Sequence, residues 1–139
     1  MTDLVLDASV ALSWCFKNEA TTVGDEVLER LALETASVPT IWHLEIANVL
    51  ALSERRGRIT PAGLSEFIAL LETLVIVVDE GTSSHAFGRI LDLARAERLT
   101  GYDAAYLELA MRLGVPLASK DADLCDAAER LGVSVLRAA

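Results

Sequence analysis

Four acidic residues in widely separated segments, Asp7, Glu45, Asp103 and Asp121, are the side chains whose settings suggest chemistry. Asp7 follows Leu4-Val5-Leu6 directly, and Asp121 follows Leu117-Ala118-Ser119-Lys120, so both fall at the carboxyl ends of expected strands. Ligands of open α/β sheets bind at that edge. Asp103 falls in the first turn of a helix that opens after Thr100. Carboxylates gathered at one edge repel strongly unless a cation lies between them. An all-oxygen donor set favours a hard ion, Mg²⁺ or alternatively Mn²⁺, over zinc. Such an ion suits phosphoryl chemistry, because it acidifies water and offsets charge on phosphate oxygens.

Each aspartate also has a purely structural reading. Asp7 and Asp121 suit helix N-caps, and Thr100-Gly101-Tyr102-Asp103 matches a capping box with Asp in the Glu position. Glu45 is harder to explain that way. The segment from Ile41 to Leu52 is nearly apolar all round, the pattern of a buried helix. Glu45 shares a face there with Ile41, Val49 and Leu52, and a desolvated carboxylate needs an arginine partner or a cation. Asn48, three residues on, points the same way and would orient the carboxylate or a water.

The elements that must position these acids alternate along the chain. Leu4-Val5-Leu6 reads as a strand and Ala8 to about Lys17 as a helix. Thr22 to about Glu34 is amphipathic, with Val23, Val27, Leu28 and Leu31 on one face. Ala36-Ser37-Val38 is a strand that Pro39 ends, and Thr40 is expected to cap a helix running to Arg56. Thr60-Pro61 opens the next helix with a capping hydroxyl and proline at the first helical position. That helix ends near Thr73, and Leu74 to Val78 reads as a buried strand. Further helices are expected over residues 83–98 and from Thr100 to Gly114, the glycine suited to the position after a helix end. Val115 to Ser119 is a strand, Asp121 to Leu131 a helix closed by Gly132, and Val133 to Leu136 a last strand. Alternating strands and helices imply βαβ units. The expected fold is a three-layer α/β/α sandwich on a central, mostly parallel sheet of about five strands.

Length and composition set the frame. At 139 residues and 53% hydrophobic, the chain is expected to form one domain with a well-filled core. Cys15 and Cys125 lack any C-x-x-C or Cys/His spacing, which argues against zinc and disulfides and for a reducing, cytoplasmic setting. No secretory leader is read at the N-terminus. No apolar run reaches the ~20 residues of a membrane span. The net charge of −9 speaks against wide electrostatic attraction of nucleic acid. A cation held among the acids would invert the local field and weaken that objection.

At these residues the sequence resembles PIN-domain proteins, and specifically the VapC toxins of bacterial toxin–antitoxin pairs. Val5-Leu6-Asp7-Ala8-Ser9 resembles the opening strand with its D-x-S motif. Leu44-Glu45-Ile46-Ala47-Asn48-Val49-Leu50 resembles the helix with the second acid and its asparagine. Thr100 to Tyr106 resembles the segment with the third acid. Leu117 to Leu124 resembles the T-x-D-x-D stretch, with Ser119 where threonine is more frequent. Each motif alone is weak, but four in order across essentially the whole chain make a specific pattern.

The resemblance implies a Mg²⁺-dependent endoribonuclease that cleaves RNA phosphodiesters with metal-activated water and is silenced by a cognate antitoxin. It implies metal binding by Asp7, Glu45, Asp103 and Asp121, with Asp123 auxiliary and Ser9, Asn48 and Ser119 supporting. It also implies homodimers joined through helices, within reach of larger toxin–antitoxin assemblies. Antitoxin segments are then expected in a groove beside the acids.

Arg55, Arg56 and Arg58 form the densest basic stretch, either a solvated helix end or an RNA contact. Lys120, beside Asp121, is a further RNA-contact candidate. His43 and His85 lie outside the acid motifs, and Trp14 and Trp42 read as packing residues. Two rivals remain at this level: a receiver-type phosphoacceptor domain and a non-catalytic PIN-like interaction module. The first needs a paired acid after the first strand, and Asp7 stands alone there.

Overall fold

A computed structural model describes residues 1–139. Five parallel strands, β1 (Leu4–Leu6), β2 (Ala36–Pro39), β3 (Ile76–Asp79), β4 (Leu117–Ser119) and β5 (Val135–Arg137), form one sheet in the order β3-β2-β1-β4-β5. Adjacent side chains on a strand point to opposite faces. Leu4, Val5 and Leu6 are all fully buried, so both faces of the sheet are covered, as parallel sheets require. Helix α7 (Gly101–Leu113) lies against β1, β2 and β4, while α1 (Ala8–Ser13) and α8 (Ala122–Arg130) lie against β4. The three-layer α/β/α arrangement expected from the sequence is the arrangement found.

The strand order has a functional consequence. The chain builds outward from β1 to β2 and β3, then returns to place β4 on the other side of β1. The carboxyl ends of β1 and β4 therefore flank the point where strand order reverses, where open α/β sheets form a ligand crevice. A receiver-type domain has its first strand between the second and third, and the order found here excludes that rival.

Several local expectations are corrected. Strand β3 is at the sheet edge and begins at Ile76; Val75 and Val77 are 56% and 47% exposed, so this is no buried strand. An apolar run reports β propensity but not whether a neighbour covers it. Helix α1 ends at Ser13, four residues early, and a 3₁₀ turn occupies Lys17–Glu19. The helix expected over residues 83–98 divides into α5 (Thr82–His85), a π-type turn (Ala86–Ile90) bent at Gly88, and α6 (Leu91–Glu97). Strand β2 ends at Pro39 as expected, but Pro39 is its last residue, paired with Asp79, rather than the first beyond it. Thr40 does not cap α3 (Trp42–Arg55): Ile41 holds the cap position without a side-chain bond, and the Thr40 amide donates to Thr82 Oγ1 at 3.3 Å.

Elsewhere the local signals hold. Thr60 caps α4 (Pro61–Glu72) through Gly63 N, at 3.0 Å. Gly114 ends α7 with φ of +66°, a left-handed conformation that costs glycine least. Helix α2 (Thr22–Arg30) receives the Trp14 indole N–H on its Gly24 carbonyl at 2.9 Å, which accounts for Trp14 as a packing residue.

Candidate active site

Asp7 is the last residue before α1, at the end of the central strand. It is 6% exposed, and it makes no side-chain capping bond to α1. Its Oδ2 instead accepts two hydroxyl hydrogen bonds, from Ser9 at 2.8 Å and from Ser119 at 2.7 Å. Burial pushes the Asp7 carboxyl up from its ordinary range, and the Ser119 and Ser9 hydroxyls pull it back towards ionisation. A buried carboxylate at the end of the central strand, partnered by hydroxyls and the Ser9 amide rather than by a cationic side chain, suits a cation.

Ser119 carries more than one bond. It is fully buried at the end of β4, and its Oγ also accepts the Asp121 N–H at 3.0 Å. The Ser9 hydroxyl accepts the Lys120 N–H at 3.1 Å. Two serines thus lock the β4–α8 turn onto the end of β1. Asp121 is a helix cap, as one of its sequence readings held: Oδ1 accepts the Leu124 N–H at 2.8 Å. Capping occupies that oxygen and fixes the side chain at the crevice edge.

Helix α3 presents Glu45 from the opposite side. It is not the fully buried helix expected: Trp42, Ile46, Leu50 and Ser53 face the core, while Leu44 is 74% exposed. Glu45 lies between these faces, half-buried, and its partner is not an arginine. The Tyr106 hydroxyl donates to Glu45 Oε1 at 2.5 Å. Burial raises the Glu45 carboxyl, the Tyr106 bond lowers it, and the Asp7 charge raises it again.

Asp103 stands in the first turn of α7, where its N–H donates to Thr100 Oγ1 at 3.1 Å. Its carboxyl is pushed up to about 6, first by burial and then by the charges of Asp121, Asp7 and Glu45. One aspartate therefore feels all three of the other acids, which come from elements far apart in sequence. Their mutual repulsion is the electrostatic signature of a site designed around positive charge. As the side chains stand, no three of them converge tightly enough to hold an ion. The donor set nevertheless fits a hard divalent cation in chemistry: all oxygen, anionic and mutually repelling.

The remaining candidates divide. Asp123 is exposed on the first turn of α8 and is absent from the charges acting on Asp103. Asn48 is exposed and makes no hydrogen bond to Glu45. Arg55 and Arg56 are exposed at the end of α3. Arg58 stacks over the Phe16 ring at 4.4 Å and pairs with Glu19 at 3.1 Å. Lys120 reaches the same turn, donating from Nζ to the Glu19 carbonyl at 3.0 Å. His43 stands edge-on to Trp42, and His85 Nδ1 meets the Gly81 carbonyl at 2.7 Å, so neither joins the acids.

Two contributors escaped the sequence reading. Tyr106 gives only a weak signal, a phenol three residues after Asp103 in a run of small and apolar residues. Glu19 gives none, since its role comes from a turn that pairs it with cations 39 and 101 residues away.

Comparison with known proteins identifies the family and the fold. The PIN domain profile matches residues 4–130. Similar solved structures include PAE2754 from Pyrobaculum aerophilum, with TM-score 0.69 and 20% identity over 97% of this chain and 91% of that one. VapBC2 from Rickettsia felis, bound to a DNA fragment from its promoter, gives TM-score 0.68 and 14% identity over 96% and 97%. FitAcB from Neisseria gonorrhoeae gives 0.65 and 19% over 95% of both chains. No curated protein matches the chain. With the family profile spanning nearly its whole length, and similar solved structures sharing the fold, the chain belongs to the PIN domain family.

Proposed function

We propose that this protein is a metal-dependent endoribonuclease, the toxin of a type II toxin–antitoxin pair. The observation that carries the reading is the grouping of Asp7, Glu45, Asp103 and Asp121 near the strand-order reversal, where burial first and then the other three charges push Asp103 up to about 6. Asp7, Glu45, Asp103 and Asp121 would hold the ion, with Asp123 as an outer, auxiliary ligand. When bound, a divalent cation such as Mg²⁺ supplies acidified water and neutralises charge on phosphate oxygens.

The protein's own residues do the rest. Ser9 and Ser119 donate to Asp7 and fix its direction, so that no rotamer search precedes binding. Asp121 is held by its own helix cap, and Tyr106 restrains Glu45. Lys120 and Arg58 both bond the Glu19 turn, and with Arg55 and Arg56 they are the proposed contacts for RNA phosphates. Such contacts position a strand without reading its bases.

An antitoxin is the proposed protein partner. A groove of about 630 Å³ runs between α3 and α4, lined by Trp42, Ile46, Leu50, Leu64, Ile68 and Leu71, with Glu54 and Glu72 among its walls. The buried Trp42 indole N–H has no hydrogen-bond partner. An amphipathic segment with basic flanks and a free carbonyl fits this surface in shape and charge. Groove and Glu45 share helix α3, so occupation of one bears on the other. The likeness to VapBC2 and FitAcB supports the toxin reading, and a homodimer, open to larger assembly, is the proposed quaternary state. No helix is long and apolar enough to cross a membrane, in keeping with the proposed cytoplasmic site of action.

The test is an incubation of the purified protein with total RNA across a Mg²⁺ or Mn²⁺ titration, with the cut ends mapped. Metal-dependent cuts with 5′-phosphate and 3′-hydroxyl ends are expected. Cleavage that persists unchanged in chelator contradicts the proposal and leaves a non-catalytic or metal-free role.

A further inference from the structure

The proposed chemistry uses four carboxylates and leaves Tyr106 unassigned. Its side chain is fully buried, an unfavourable place for a phenol unless the hydroxyl is partnered. The hydroxyl donates to Glu45 Oε1 at 2.5 Å, and the phenol lies near enough to Asp7 to feel its charge. Tyr106 lies one turn beyond Asp103 on α7. A single oxygen therefore ties the start of α3 to the first turns of α7, the elements that carry Glu45 and Asp103.

Glu45 needs such a tie. It takes part in none of the protein's ion pairs. Its side chain has three rotatable bonds and stands among like charges, so repulsion and rotamer entropy both favour swinging away towards water. Only the Tyr106 hydroxyl opposes that escape.

We propose that Tyr106 is a positioning residue for cation capture, whose hydroxyl holds Glu45 towards Asp7 and Asp103 before an ion arrives. This inference rests on the metal-site reading above and adds the residue that organises it. Groups that hydrogen-bond to metal ligands orient them, and losing one lowers metal affinity about 10- to 100-fold.

The experiment is Mn²⁺ binding to the RNA-free protein, read from the loss of the free-ion electron paramagnetic resonance signal. Tyr106→Phe removes one oxygen and leaves the ring to fill the core, and thermal melting verifies that the variant is folded. Its Mn²⁺ Kd is expected to rise about 10- to 100-fold over the wild type. Because Tyr106 acts through Glu45, adding Tyr106→Phe to Glu45→Gln should change Kd less than about 3-fold, a non-additivity that a general structural role would not produce. Wild-type affinity in folded Tyr106→Phe overturns the inference while the metal site stands. A full further loss in the Glu45→Gln background overturns it as well. Absence of Mn²⁺ binding by the wild type defeats the metal reading and this inference together.

Discussion

Ser119, at the end of β4, donates its hydroxyl hydrogen to Asp7 Oδ2 at the end of β1, 2.7 Å away and 112 residues distant in sequence. The Ser119 Oγ in turn accepts the Asp121 N–H at 3.0 Å. This pair staples the two strand ends that border the crevice, and it settles one acid while capping the approach to another.

Ser119→Ala is expected to cost about 1–2 kcal/mol of stability, because a part-buried amide and a buried carboxylate each lose a partner. Asp7 then rises further from its ordinary range, so cleavage should fail at a higher pH on the acid side than in the wild type. Ser119→Thr retains the hydroxyl and should behave as the wild type does. Chemical denaturation and a pH–rate profile check both points; an unshifted profile for the alanine variant contradicts the role given to Ser119.

Asp103 gives a pH dependence of stability with a definite sign. Its folded-state value of about 6 lies above its ordinary 3.8, so the folded protein holds the proton more tightly than the unfolded chain. Between these values the unfolded chain ionises first, and stability without metal falls as pH rises through that window. Full shielding would make this about 3 kcal/mol; the carboxyl is partly open to water, and about 1 kcal/mol is expected. Asp103→Asn should be more stable than the wild type at pH 7 and equal to it near pH 3.5. Urea melts in chelator at the two pH values check this, and equal stabilities at pH 7 would contradict it.

Glu19 receives both Lys120 and Arg58, and so competes with any phosphate for them. Lys120→Ala should raise KM for RNA several-fold with a smaller effect on kcat, and reduce the salt dependence of binding by about one phosphate contact. Glu19→Gln removes the carboxylate paired with Arg58 while leaving the carbonyl that Lys120 bonds, so it frees Arg58 and should tighten RNA binding at low salt. Unchanged KM and salt slope in both variants would remove the basic edge from the substrate path.

Much of the fold was legible because the chain follows local rules closely. The strand segments at Leu4 and Leu117, the Thr60-Pro61 helix start and the Gly114 end are all local signals that the tertiary structure left undisturbed. What failed depended on neighbours. The run from Leu74 to Val78 reads as buried but forms an edge, and α3 reads as apolar all round but covers the core with one face only. Gly88 bends a segment whose periodicity suggested one helix.

The acids were legible because each follows a strand or opens a helix, positions a sequence exposes. Their relations to one another were not. The cap at Asp121 and the absence of one at Asp7 depend on side-chain direction. The Tyr106–Glu45 bond spans 61 residues and has no local trace.

The most direct test of the account compares wild type and Asp7→Asn in RNA cleavage with saturating Mg²⁺, both shown to be folded by melting. The substitution keeps size and hydrogen-bonding reach while removing the charge that faces the cation. The account predicts loss of cleavage by about 100-fold or more, in line with removal of a charge that a catalytic metal requires, with the fold retained. Wild-type cleavage by a clean Asp7→Asn preparation would contradict it.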